Sequence, residues 1–241
     1  GDLAALGLRA QEAVVSYTHV EPARELPVPE AVGRSSWSAA NIALLREMLA
    51  PVTEKLETSS ASMPGAARSV VGGAIGAEIG AVIGYMGRRV LGQYEVALVP
   101  GEPPPPRLLV VAPNLREAAE KLGAELEPLL AWVMVHEVTH AVQFSSVPWL
   151  RGHLGGLVAE LLASADVQMD ATSVSLPDLG DLKGFWDRAK DGGLLAVAGP
   201  GRSDLLDRIQ ATMALVEGHA EHVMDAAGAP LVPGLAGLRA G

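Results

Sequence analysis

The 241-residue chain predicts a mainly α-helical fold with a small sheet, α+β by class. Three observations carry that expectation. Several long stretches repeat apolar residues at i, i+3 and i+4, the period of a half-buried helix. Only two short runs read as strands, and they flank a proline-rich loop. Aromatic residues are 4% of the chain against 49% hydrophobic residues overall. Ala, Val and Leu must therefore fill the core, which suits closely packed helices.

Taken in order, residues 3–18 (LAALGLRAQEAVVSYT) read as a helix. A connector with Pro22, Pro27 and Pro29 follows. Ser36 and Ser38 flank Trp37 at a helix start, and residues 38–57 continue as an amphipathic helix that Pro51 is expected to kink or divide. Residues 67–91 hold Gly72, Gly76, Gly80 and Gly84 at four-residue spacing. That spacing lines one face with glycine and predicts a close helix contact inside a soluble core. A membrane span is disfavoured, since it needs about 20 apolar residues and this run is shorter, carries Glu78 and ends at Arg88-Arg89. Residues 93–99 (QYEVALV) and 107–112 (RLLVVA) are the two strands, with PGEPPPP between them as loop. A short helix opened by Asn114 covers 114–122. Strong helices follow at 125–145, near 154–168 and at 204–227. Residues 171–203 look like an irregular insert, and the tail after 227 is rich in Gly and Pro.

Composition excludes some chemistries. The chain has no cysteine, so disulfides, thiolate zinc sites and cysteine nucleophiles are ruled out. Any metal must be held by His, Asp or Glu. A cysteine-free chain suits a reducing cytoplasm, and the first 20 residues lack the basic start and apolar run of a signal peptide. The formal charge of -10 is spread along the chain and gives no footprint for nucleic acid or an anionic membrane.

The chemistry lies in residues 136–140, HEVTH. This H-E-x-x-H pattern has a physical reason on a helix. Four residues turn the helix by about 400°, so His136 and His140 stand one turn apart on one face. Two imidazoles there can share one tetrahedral zinc. Glu137, about 100° round the axis, can reach a metal-activated water without becoming a ligand. The longer pattern HExxHxxGxxH fails, because Gln143 replaces its glycine and Ser146 its third histidine. The third ligand must then come from elsewhere, and 216–225 (VEGHAEHVMD) is the best segment. Glu217, beside the small Gly218, leads, with Glu221 and His222 as alternatives. His219 is expected to face away, and Asp225 either supports a ligand or simply ends a helix. His153 can reach a reacting oxyanion or serve as an ordinary polar position. His19 is expected to be unrelated to the site, and Trp37, Trp132, Trp149 and Trp186 to serve packing.

WVMVHEVTHAVQFSSVPWL, followed much later by MALVEGHAEHVMDAAG, resembles the zincin-like metallopeptidase family type 2. Its members are often labelled zinc-dependent hydrolases or proteins associated with biosynthesis of a deazaflavin coenzyme. The resemblance reaches upstream to GAEIGAVIGYMGRRVLGQYEVAL and VVAPN and spans roughly residues 37–240. It implies a zincin-like fold, one catalytic zinc per chain and peptidase activity. His136 and His140 match the histidine ligands, Glu137 the general base and Glu217 the carboxylate ligand. Members usually continue past the VPGLAGLR-like segment, where this chain stops at Gly241.

The expectation is thus one catalytic domain over 1–241. A helical and sheet part to 124 precedes an active-site helical part from 125 to 241, with the sheet beside the HExxH helix. The expected function is cytoplasmic, zinc-dependent hydrolysis of a peptide or protein substrate, with Glu137 as base. The alternative is a non-catalytic zinc protein acting as an interaction module.

Overall fold

The computed structural model describes residues 2–59, 65–98, 104–163 and 203–232. Its elements are α1 (Leu3–Thr18), β1 (Pro29–Val32), α2 (Arg34–Ser59), α3 (Gly65–Met86), β2 (Gly92–Glu95), β3 (Arg107–Val111), α4 (Ala112–Leu122), α5 (Leu126–Ser146), α6 (Leu150–Ala163) and α7 (Ser203–Ala227). The α+β class holds. The irregular insert expected at 171–203 and most of the Gly/Pro tail fall outside the described residues, apart from Ser203 and residues up to 232.

The sheet has three strands in the order β1-β3-β2. β1 runs parallel to β3, with Pro29 opposite Leu108, and β2 runs antiparallel to it, with Tyr94 opposite Leu108. Central β3 reads RLLVV and is buried on both faces. Its alternate residues divide between two cores, as the two-residue period of a strand requires. Leu108 and Val110 join Leu6, Ala10 and Val14 of α1 and Leu129, Met134, Val138 and Val142 of α5. Leu109 and Val111 face the other way, against Trp37 and Ile83, with Ile42, Leu45 and Ile79 around them.

Buried α5 is the axis of the molecule. It packs against α1, α7, α4 and both β2 and β3, so apolar residues surround it rather than forming one stripe. Pro128 lies in its first turn, where a missing N–H costs nothing.

Four expectations need correction. β1 forms in the connector that was read as loop. Its first residue is a proline, which an edge strand tolerates. Pro51 does not divide α2, which runs unbroken to Ser59. Asn114 does not open α4. That helix begins at Ala112, and the Asn114 side chain is 3% exposed, donating to the carbonyls of Gly87 at 2.9 Å and Val90 at 2.7 Å. The largest correction concerns α3. Gly72, Gly76, Gly80 and Gly84 are exposed, and a Cβ added at any of them meets nothing within 4 Å. The neighbouring positions Ile79 and Ile83 turn inward instead, onto the second core.

No described helix is long and apolar enough to cross a membrane. A close contact occurs instead on α1, where a Cβ on Gly7 would lie 2.7 Å from the ring carbon Cγ of Pro29 on β1. Gly76→Leu should therefore leave the thermal midpoint unchanged or raise it, since an exposed helical glycine costs up to about 1 kcal/mol. Gly7→Leu should lose about 1–3 kcal/mol by overpacking. Thermal melts of the two variants check the contrast.

Candidate metal centre

On α5, His136 and His140 project from one face toward α7. Their rings meet edge to face with centroids 4.6 Å apart, and the two Nε2 atoms are 3.1 Å apart. On α7, residues Val216, Ala220, Val223, Met224 and Ala227 are buried. Their spacing is that of a helix face turned inward. Glu217 sits at the edge of this stripe. Its Oε2 lies 3.6 Å from His136 Nε2 and 3.5 Å from His140 Nε2, with 46% of the side chain exposed.

These three atoms form a nearly equilateral triangle. Ligands at about 2.0–2.1 Å around a tetrahedral zinc stand about 3.3 Å from one another. The donor set therefore fits zinc, with two neutral nitrogens, one carboxylate and a fourth direction left open. Among the described residues, His136, His140 and Glu217 are the group that can hold a metal ion. Electrostatics agree. Burial, then the neighbouring His140, pulls the His136 pKa down to about 4, against the opposing pull of the Glu217 charge. The ring is thus neutral at neutral pH, the form in which imidazole binds a metal.

Glu137 turns the other way, between α5 and β2, and is 6% exposed. Its Oε2 accepts the backbone N–H of Tyr94 at 2.7 Å. Gly92 makes room for it, because a Cβ there would stand 2.8 Å from Glu137 Cγ and Oε1. Burial raises the carboxyl to about 7, with the Tyr94 N–H lowering it and the Glu217 charge adding to the rise.

The other sequence candidates lie outside the triangle. Glu221 is exposed. His222 is exposed, 2.9 Å from the Tyr17 hydroxyl. His219 meets Gln143, with Nδ1 2.9 Å from the amide nitrogen. Asp225 is half-buried on the same helix. His153 is exposed and packs edge-on against Trp149. His19 caps the C-terminus of α1 in the left-handed conformation. Trp37 is a core residue and Trp132 packs partly buried against the main core, but Trp149 is 63% exposed. Trp186 lies outside the described residues. Sequence reasoning missed Tyr94, Gly92 and Gln143. The first two act through a backbone N–H and a missing side chain, which leave no motif.

The raised Glu137 pKa makes a stability prediction for the metal-free protein. The folded state keeps a proton that the unfolded state releases above 4.5. The Glu137 contribution to stability then falls as pH rises from about 4.5 to about 7 and levels off above, against an opposite contribution from His136, held at about 4 below its free value of 6.5. Glu137→Gln removes this loss. In chelator, its advantage over wild type should grow by about 3 kcal/mol across that window. Denaturant titrations at several pH values check this, and a difference independent of pH would mean the carboxyl is not held in a dry site.

The comparisons with known proteins agree with this geometry. A family model described as zincin-like metallopeptidase matches residues 2–241. Among curated proteins, none matches the chain. A crystal structure from Chloroflexus aurantiacus, carrying a provisional assignment as a hydrolase with a novel fold, is similar at a TM-score of 0.68 and 26% identity. The match covers 98% of this chain and 63% of that one, so the chain spans under two thirds of its neighbour's length. With a family match over nearly its whole length and a triangle of two histidines and a glutamate suited to zinc, this chain belongs to the zincin-like metallopeptidase family.

Proposed function

We propose that the protein is a zinc-dependent metallopeptidase that hydrolyses peptide bonds with Glu137 as general base. The observation that carries the reading is the triangle of His136 Nε2, His140 Nε2 and Glu217 Oε2, 3.1 to 3.6 Å on a side, on the helix that also carries the buried Glu137 carboxyl. Zinc held there would polarise a scissile carbonyl and acidify a water molecule.

The chain's own residues divide the remaining work. Glu137 accepts the Tyr94 N–H at Oε2, which holds the carboxyl in place, and its remaining lone pairs are left to take the proton of the attacking water and pass it to the leaving amine. In the metal-free protein burial raises this carboxyl to about 7, which makes it a stronger proton acceptor than a solvated glutamate. β2 supports a peptide substrate. Among the described residues it is paired on one side only, and it lies against α5, where an extended chain can add to that edge. The diffuse negative charge of the sequence offers nothing to nucleic acid. A cytoplasmic location is part of the same proposal, and a chain without cysteine is compatible with a reducing compartment.

The test has two parts. Elemental analysis of protein purified without chelator should find about one zinc per chain, largely lost in His136→Ala and in His140→Ala. A peptide-library screen, with and without chelator, should find cleavage that falls about 10²- to 10⁴-fold in Glu137→Gln while zinc is retained. Full zinc occupancy in either histidine variant would sink the metal site. Tight zinc binding with no cleavage by wild type would favour the non-catalytic zinc protein.

A further inference from the structure

The second histidine of the motif depends on a side chain that the motif does not contain. Gln143 lies three residues beyond His140 on α5. Its Nε2 is 3.0 Å from the backbone carbonyl of Val216 on α7, and its Oε1 is 2.9 Å from His140 Nδ1. A carbonyl oxygen only accepts, so the nitrogen end of the amide must face Val216. A flipped amide would set oxygen against oxygen. The oxygen end must then face His140, and it too only accepts. His140 Nδ1 therefore carries the ring proton and donates it to Gln143. A neutral imidazole carries one such proton, so His140 Nε2 is left with a bare lone pair. That nitrogen is the corner of the triangle shared with His136 and Glu217.

We propose that Gln143 is a positioning residue for the metal centre. Oriented by the Val216 carbonyl, its amide locks His140 in the tautomer that offers Nε2 to the metal. The inference rests on the metal-site reading above. It extends that reading by joining the second and third ligands into one unit, since Val216 orients the amide and Glu217, next in sequence, supplies the carboxylate. The second N–H of the amide is directed at His219 Nδ1, 2.9 Å away, so the group is held at three points. His136 has no counterpart among the described residues. Its Nδ1 is buried without a hydrogen-bond partner. Of the two histidines, His140 is the one the protein pre-orients.

Two-bond proton–nitrogen NMR spectra of the histidines test this directly in the metal-free full chain. Wild-type His140 should show a protonated Nδ1 and a bare Nε2. Gln143→Leu should release it to a mixture of tautomers and weaken zinc binding about 10- to 100-fold, the usual cost of losing a partner that orients a ligand. Gln143→Glu keeps an acceptor for His140 Nδ1 but loses the N–H to the Val216 carbonyl, so it should preserve the tautomer that Gln143→Leu releases. The Nε2-protonated tautomer in wild type overturns the proposal, whether or not any variant folds. So does a Gln143→Leu protein with unchanged tautomer and affinity. Absence of zinc binding by wild type would overturn the metal-site reading, and the positioning role would fall with it. An unaltered His140 in a zinc-binding Gln143→Leu protein would overturn the positioning role alone.

Discussion

Glu137 stands almost without solvent between a helix and a strand, held by one backbone N–H. Burying an ionisable carboxyl in this way is unfavourable unless neighbours compensate, and the surrounding architecture is arranged around that cost. β2 must come close enough for Tyr94 to donate, which requires glycine at position 92. β2 is held there by β3, and β3 by apolar cores on both of its faces. The small sheet is in this sense a rigid arm that carries a single hydrogen-bond donor to α5. The resulting carboxyl is poised near neutrality, whereas a solvated glutamate would be a weaker base.

The helix that carries Glu137 also carries both histidines, and about 100° of helix rotation separates Glu137 from His136. His136 and His140 face α7, and Glu137 faces the sheet. Burial acts on the two kinds of group in opposite senses, lowering the pKa of His136 and raising that of Glu137. One dry environment thus favours the neutral ligand and the proton-accepting carboxyl's elevated pKa together. Glu217 keeps nearly half its side chain in water, which suits a ligand at the mouth of a cleft.

Local features of this site were legible in the sequence, and long-range ones were not. The His136–His140 spacing is a property of any helix, and Glu217 stood out beside Gly218 in a segment dense with metal-ligating residues. β3 was readable because a strand buried on both faces is a continuous apolar run. β1 was not, because its strand character comes from pairing with distant Leu108–Val111 and its own residues begin with proline. The α3 glycines misled for a different reason. A four-residue stripe of glycine marks a face without side chains, and such a face can meet a backbone or water. The adjoining Ile79 and Ile83 stripe has the same period, and burial of the larger apolar residues decided the orientation. Gln143 appeared only as a departure from a longer motif. Its partner is a main-chain carbonyl on α7, which no residue pattern announces.

The most direct test of the metal centre is an anomalous-diffraction map recorded above the zinc absorption edge on crystals of the protein purified without chelator. The account predicts one strong peak, at about 2.0–2.2 Å from His136 Nε2, His140 Nε2 and a carboxylate oxygen of Glu217. A peak elsewhere, or zinc bound to His136 and His140 with its carboxylate supplied by another residue, would contradict it.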